Sequence, residues 1–275
     1  MENRTDLAVE CYEEKETTQL EGVIVREQGN VTTVSVTNEN GAAALGKPVG
    51  KYVTLRVNSF VNDTDIFDGR LTAFAEVLRS VLPPNMTSVL VAGLGNIHIT
   101  ADALGPKTGC YVLSTRHIVD DLKQTAGLEG LFCVSSIETG VLGETGIESA
   151  ELIQGVAAQV RPSCIITVDA LAASSVDRLG TTVQFSDSGI APGSGVGNHR
   201  NEISLKTVGV PVVAIGIPTV VSTAVITNQP DAAGTFVTPR EIDRITEQGA
   251  KLIGMGINVC LHRGIDARDL YALVG

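Results

Sequence analysis

The stretch SVLVAGLGNIHITADALGP, residues 88–106, decides how this chain can fold. It begins with an unbroken apolar run, 88–94, which is typical of a parallel strand covered on both faces. Glycines and a single acid, Asp102, follow at once, and a helix is predicted after Pro106. The glycines allow the backbone to turn sharply at the end of the strand. A strand, a tight turn and a helix in this order indicate an α/β fold.

Strands and helices alternate along the rest of the chain. Predicted strands are the β-branched runs 131–137, 163–171, 181–186 and 211–217. Predicted helices lie within 68–84, at about 147–160, and in a long segment that begins at Thr238-Pro239. Because helices separate these apolar strands, we expect an α/β fold with a mostly parallel sheet and helices on both faces.

The N-terminal part of the sequence has a different pattern. Residues 22–37 read as an antiparallel hairpin, and 51–57 as one further strand. They predict a peripheral, β-rich extension at about 20–57. No linker composition separates this extension from the remainder, so it belongs to the same domain.

Composition and charge exclude several classes of function. The chain carries 31 acidic and 20 basic residues, a formal net charge of −11 at pH 7. Nucleic-acid binding needs a basic face that displaces counterions, so we expect no direct nucleic-acid partner. The uncharged stretch 207–230 contains prolines and many β-branched residues, which favour a buried strand, a loop and a short helix over a membrane span. Since the sequence opens without a signal-peptide pattern, we predict a cytoplasmic protein.

Two acids stand in similar settings near predicted strand ends. Asp102 follows the run 88–94, and Asp169 follows the apolar part of the strand 163–171. Ligand sites in open parallel sheets form at the carboxyl ends of the strands, although an acid there can also be a helix cap. Two neighbouring carboxyl groups can hold one proton between them, so that one deprotonates water while the other polarises a carbonyl or protonates a leaving amine. The pair predicts acid–base catalysis.

A second glycine-rich segment, 186–200, follows another predicted strand. It contains Asp187, His199 and Arg200, and it is either a mobile loop beside the same sheet edge or an ordinary long connection. The sequence has neither a GxGxxG fingerprint nor a Walker motif, and it has no GxSxG or HExxH motif. No cofactor is predicted.

Long motifs along essentially the whole chain carry a family resemblance. In order they are RTDLAVE, GKPVGKYVTL, VAGLGN with TADALGPK, STRH, TGIE, DALAA, SDSGIAPGSGVGN and AIGIPTVV. They closely resemble the motifs of the bacterial spore germination proteases. The pattern GxGN, an acid, and then a strand ending in DA is also similar to the hydrogenase maturation endopeptidases. That likeness implies their phosphorylase-like α/β peptidase fold.

The resemblance implies an endopeptidase that initiates degradation of small acid-soluble, DNA-protecting spore proteins in the spore core during germination. By their position in the motifs, Asp102 and Asp169 match the family's two proposed catalytic aspartates. Substrate-binding or loop positions are expected at Asn96, Arg116, Asp187 and Arg200. The resemblance also favours a homo-oligomer, a tetramer. A long charged insertion of the family between IPTVV and VTPREID is missing here.

A self-processing zymogen is a further implication of the resemblance. Family substrates are cut after an acid that precedes a large apolar residue, then Ala, then a second acid two positions on. The sequence Asp6-Leu7-Ala8-Val9-Glu10 fits this pattern. We therefore expect cleavage between Asp6 and Leu7, a pro-segment of residues 1–6, and a single peptidase domain at 7–275. Positive groups such as Arg116 or Arg200 could recognise the flanking acids.

Two alternatives stay open at this point. The related nickel-processing enzymes hold their metal with two acids and a histidine. A metallopeptidase would accordingly use Asp102 and Asp169 with His199 as the third ligand for a divalent metal. The other alternative is a non-catalytic scaffold or regulatory protein that retains the fold. Sensitivity to chelators tests the first, and substitution of either aspartate tests the second.

Overall fold

The computed structural model describes residues 5–15, 19–61, 65–118, 130–197, 200–227 and 235–274. Its strands are β1 Val23–Gln28, β2 Val31–Val36, β3 Gly50–Arg56, β4 Ser88–Gly93, β5 Cys133–Glu138, β6 Cys164–Ala173, β7 Thr182–Ser186, β8 Val212–Ser222 and β9 Phe236–Val237. Its helices are α1 Ala8–Glu13, α2 Glu39–Leu45, α3 Arg70–Val81, α4 Leu104–Gly109, α5 Leu142–Thr145, α6 Ser149–Val160, α7 Leu205–Val208, α8 Thr223–Thr227, α9 Ile242–Leu261 and α10 Ala267–Val274.

In these residues the strands form one nine-stranded sheet, in the order β1-β2-β3-β7-β8-β6-β4-β5, with β9 paired to β8. The strands β5, β4, β6 and β8 are mutually parallel. The predicted hairpin is β1–β2, at the sheet edge. The predicted α/β class is confirmed.

Antiparallel pairing extends further into the sheet than the sequence indicated. Strand β7 runs antiparallel to both of its neighbours, β3 and β8. The chain passes from the end of β6 to β7 through residues 174–181, which contain a single 3₁₀ turn. A parallel strand would need a crossover of a dozen or more residues. The short connection therefore reverses the chain, and β3 joins the parallel strands through β7.

Both faces of the sheet are covered, as predicted, but unequally. On one face, α3, α4, α9 and α10 pack on a single apolar cluster that includes Phe74, Phe185 and Val213. The opposite face carries two smaller clusters. One includes Leu90 and Ile153 of α6, and the other includes Leu7, Val34 and residues that pack against α1 and α2. Ile190 packs against both of these smaller clusters.

Predicted element boundaries hold best where periodicity was strong. The helix predicted within 68–84 is α3, at Arg70–Val81. The long C-terminal helix begins at Ile242, later than the predicted Thr238-Pro239. Pro239 lies in the turn before the helix, where its carbonyl accepts a hydrogen bond from the Ile242 N–H. The stretch 207–230 contains the buried strand β8 and the short helix α8. None of the helices described here has the length and apolarity that a membrane crossing requires.

Candidate active site

The two acids lie near the carboxyl ends of two adjacent parallel strands. Asp102 ends a 3₁₀ turn, Thr100–Asp102, a few residues after β4. Asp169 lies within β6, which continues to Ala173, and it comes one residue after Val168, the partner of Gly93 at the end of β4. Asp169 therefore emerges where its neighbouring strand has stopped. Both acids line one cavity of about 280 Å³, together with Asp6 and Arg200.

Glycines let the backbone around Asp102 pack more closely than side chains would permit. Gly95 has φ +109°, and a Cβ there would lie 2.1 Å from the carbonyl oxygen of Asp102. A Cβ on Gly105 would lie 2.2 Å from the Leu94 carbonyl oxygen and 2.5 Å from that of Val168. The glycine-rich stretch thus draws the start of α4 against the ends of β4 and β6. This close approach holds the Asp102 backbone beside the cavity.

The electrostatic environment separates the two acids. Asp169 is 5% exposed. Burial raises its pKa well above that of an ordinary aspartate, and the carboxylates of Asp102 and Asp6 raise that pKa further. Burial also raises the pKa of Asp102, while a hydrogen bond from the Asn96 N–H and the positive charge of Arg200 lower it. Asp169 is therefore the group that keeps its proton, and Asp102 is the one that ionises first.

The N-terminal segment forms part of this site. The N–H of Asp6 donates to the Ala172 carbonyl at 3.0 Å, and Asp6 Oδ2 accepts from the Ala172 N–H at 2.9 Å. Asp6 Oδ1 accepts from Ser194 Oγ at 2.7 Å. Leu7 is fully buried in the cluster under α1 and α2. Residues 1–4 of the predicted pro-segment lie outside the described residues.

A second, larger cavity of about 550 Å³ adjoins the first, and Asp6 and Leu171 line both. Its lining includes Lys47 and Gln184. The carbonyl oxygen of Asp6 accepts hydrogen bonds from Gln184 Nε2 at 3.0 Å and from Lys47 Nζ at 3.1 Å. Asp6 consequently stands between the paired acids on one side and these two donors on the other.

The glycine-rich segment 186–200 contributes directly to the acidic cavity. Pro192, Gly193, Val196 and Arg200 are among the lining residues. Ser194–Val196 forms a 3₁₀ turn close to the N-terminal segment, and a Cβ on Gly195 would lie 2.3 Å from Asp6 Oδ2. His199, proposed above as a third metal ligand, lies outside the described residues. Elsewhere in the described ranges, no group of three or more His, Cys, Asp or Glu side chains is arranged to hold a metal ion.

The remaining predicted positions are distributed unevenly. Asn96 holds Asp102 through its N–H at 2.8 Å. Asp187 is exposed and accepts from the Lys51 N–H at 2.7 Å, so its contact is with β3. Arg116 is exposed, and its N–H bonds to the carbonyl of Val134 near the start of β5, toward the opposite end of the sheet. The structure therefore brings Asn96 and Arg200 to the acids and leaves Asp187 and Arg116 away from them.

Sequence reasoning missed Lys47, Gln184 and Ser194. A signal existed for Gln184, because an amide side chain between Val183 and Phe185 in the short strand 181–186 requires a partner if it is buried. Lys47 lies in a glycine- and proline-containing turn, GKPVG, where a surface lysine would be unremarkable. Its role depends on where the N-terminal segment lies, which no local pattern indicates.

Comparison with known proteins finds a family model, curated relatives and a solved structure. A family model described as germination protease matches residues 2–232. A germination protease of Caldanaerobacter subterraneus is 35% identical, with 98% of each chain covered. One from Clostridium tetani is 36% identical over 98% of each chain, and one from Priestia megaterium is 46% identical over 82% of this chain and 65% of its own. A solved structure of a NiFe hydrogenase maturation protease from Thermococcus kodakarensis covers 66% of this chain and 99% of its own, at 21% identity and a TM-score of 0.39.

Proposed function

This chain belongs to the germination protease family and is a peptidase, a hydrolase acting on peptide bonds, and from that premise we propose that it is an endopeptidase that uses Asp102 and Asp169 as a catalytic pair. The observation that carries the proposal is the shared cavity, in which a buried Asp169 with a strongly raised pKa lies beside the more exposed Asp102. Membership in a peptidase family removes the non-catalytic scaffold alternative. The metallopeptidase alternative is tested by chelator treatment, which should leave the activity unchanged.

The two acids have complementary roles in this proposal. Asp102, held by the Asn96 N–H and near Arg200, accepts a proton from a water molecule. The water oxygen bonds to the carbonyl carbon of the substrate, and Asp169 gives its proton to the nitrogen of the breaking C–N bond. A general acid or base needs a pKa near the working pH, and burial together with nearby carboxylates produces such values in aspartates. The raised pKa of Asp169 supports its assignment as the acid.

The proposed substrates are the small acid-soluble proteins of the spore, degraded in the spore core at germination, with a homotetramer as the working assembly. The name that the relatives carry supports a role in germination, and the sequence motifs support the substrate class. No nucleic acid, membrane or cofactor is needed for this reaction.

Self-processing between Asp6 and Leu7 completes the proposal. Asp6 lines the cavity of the proposed catalytic pair, and this position beside the two acids supports the expected cleavage after Asp6. Its carboxylate also accepts from Ser194 in the loop 186–200. A segment placed in this way would inhibit both by occupying the cleft and by holding the loop. Removal of residues 1–6 would also remove one of the charges that raise the pKa of Asp169.

The decisive experiment combines a small acid-soluble spore protein with the chain and maps the products by mass. We expect a few cuts, each after an acid that precedes a large apolar residue. The intact mass of the chain should meanwhile fall to that of a product beginning at Leu7. Full activity with residues 1–6 still attached would contradict the zymogen proposal, and absence of cleavage in every condition would contradict the substrate assignment.

A further inference from the structure

The carbonyl group of Asp6 has two side-chain donors, and it belongs to the peptide bond proposed to be cut. Gln184 Nε2 lies 3.0 Å and Lys47 Nζ 3.1 Å from its oxygen. We infer that Lys47 and Gln184 are catalytic residues, which stabilise the negative charge that develops on the carbonyl oxygen of the scissile bond. This inference rests on the proposed function, because it takes the Asp6–Leu7 bond as a bound substrate.

The chemistry of peptide hydrolysis requires such a site. When the water oxygen bonds to the carbonyl carbon, the π electrons of the C=O bond move onto the oxygen. When the C–N bond breaks, they return, and the leaving nitrogen takes a proton. Donors aimed at the oxygen lower the barrier most when they are fixed before the reaction begins. The paired acids supply proton transfer, and Asp169 has one proton, which this mechanism gives to the leaving nitrogen. A positive lysine and an amide N–H₂ add donors for the oxygen.

Gln184 is fixed in the required orientation. Its side chain is buried in β7, and its Oε1 accepts a hydrogen bond from the Ala8 N–H at 2.8 Å. The amide oxygen is thereby assigned to Ala8, which leaves the N–H₂ group for Asp6. The one side chain therefore contacts the backbone on both sides of Leu7. This arrangement fixes the Asp6–Leu7 bond relative to β7.

The register of the sheet places this donor opposite the catalytic acid. Gln184 pairs with Gly216 of β8, and Gly216 pairs with Asp169 of β6. Paired residues on adjacent strands project to the same face, so Gln184 and Asp169 flank a residue without a side chain. Two strand spacings separate their Cα atoms by roughly 10 Å. A Cβ on Gly216 would lie 2.6 Å from Leu171 Cγ, so the Leu171 side chain lies over this glycine.

Lys47 approaches the same bond from the turn after α2. Its Nζ contacts the carbonyl oxygens of Asp6 and Thr5, the latter at 3.2 Å. It lines the larger cavity with Gln184, whereas Asp102 and Asp169 line the smaller one. Asp6 lines both cavities, so the residue whose carbonyl oxygen meets the donors also borders the cavity of the two acids.

The competing explanation is that Lys47 and Gln184 only clamp the N-terminal segment. The two explanations predict opposite changes in the turnover of a separate substrate. If the residues are clamps, replacing them loosens the segment, and turnover of a separate substrate stays constant or rises. If they stabilise the oxyanion, turnover falls, and it falls in kcat more than in KM because the interaction strengthens in the transition state.

The test uses the full chain, a peptide of residues 1–12 as the substrate, and the variants Lys47→Met and Gln184→Met. Matched controls are Lys51→Met and Gln154→Met. In the wild type, the Lys51 amine donates to Ser80 and the Gln154 amide donates to Thr207. We expect each site variant to lose about 10²–10³ in kcat with KM nearly unchanged, and Lys47→Arg to recover part of the loss. Thermal melts identify any variant that fails to fold. If Lys47→Met does not fold, the kcat and KM of Lys47→Arg test the role of Lys47.

The outcomes separate the inference from the proposed function. Cleavage by the wild type with unchanged or faster kcat in both site variants overturns the inference alone. A wild type that cuts neither itself nor the peptide overturns the proposed function. A loss confined to KM, with kcat retained, also overturns the inference, because it shows ground-state binding.

Discussion

The two faces of the sheet differ in a way that separates stability from activity. One face carries a single continuous apolar cluster under α3, α4, α9 and α10. The other carries two smaller clusters, and on this face Asp169, Gly216 and Gln184 are paired in register. Burial of apolar surface stabilises the first face, whereas the second also holds the buried polar side chains of Asp169 and Gln184. The cavity lined by Asp102 and Asp169 lies on this second face.

The strongest test of this contrast is loss of either acid. Asp102→Asn or Asp169→Asn should lower the cleavage rate by about 10²–10⁴, since each removes a proton-transfer group. The fold should be retained, because Asn is isosteric with Asp. Steady-state cleavage of the peptide of residues 1–12 measures the rate, and circular dichroism checks the fold. Wild-type turnover in both variants would refute the paired-acid mechanism.

A substitution on the face with the single apolar cluster should lower the stability and leave the cleavage rate of the folded protein unchanged. Phe74 is fully buried against Phe185, with ring centroids 4.8 Å apart. Phe74→Ala should lower the free energy of unfolding by about 3–5 kcal/mol because it leaves a cavity. The fraction that stays folded should cleave at the normal kcat. Urea unfolding measures the first quantity and active-site-normalised kinetics the second. Leu205→Ala, at an exposed position, is the control and should change little.

The pH dependence of stability should show the effect of burying the carboxyl group of Asp169. The pKa of Asp169 is raised on folding, so its contribution to stability is fully present below the unfolded value of about 4 and is lost as the pH rises through the folded value. Asp169→Asn should therefore unfold at a higher temperature than wild type near neutral pH, and the difference should shrink at low pH. Melting scans from acid to neutral pH test this, with the exposed Glu76→Gln as control. A variant less stable than wild type at neutral pH would show that the buried carboxyl is stabilising.

A smaller effect is expected at the edge of the polar face. Asn38 caps α2 by accepting from the Gly41 N–H at 2.9 Å. Asn38→Ala should cost about 1 kcal/mol in the free energy of unfolding. Because α2 precedes the turn that carries Lys47, the cleavage rate should also fall slightly if that turn shifts. Asn38→Asp, which retains the cap, should restore the stability.

Asp102 and Asp169 could be predicted from the sequence, whereas the donors Lys47 and Gln184 could not, for a physical reason. Asp102 and Asp169 follow neighbouring parallel strands, and the topology of such sheets brings strand ends together. Lys47 and Gln184 reach the site only because β7 runs antiparallel and attaches β3 to the parallel strands. The contact between Gln184 and Asp6 spans 178 residues of sequence. Local periodicity contains no information on a contact of that range. Arg116 was predicted near the substrate from its charge alone, and its strand connection places it at the other end of the sheet.

For the proposed self-processing, the position of Asp6 at both cavities also implies a kinetic order. A chain whose own scissile bond already occupies its site needs no encounter with a second molecule. Its conversion would be a first-order process, with a half-time independent of protein concentration and insensitive to dilution. Such a process proceeds with a constant half-time from the moment at which conditions first permit proton transfer in the cavity. Once residues 1–6 have diffused away, the entropy of separation makes the step irreversible, so each chain is activated only once.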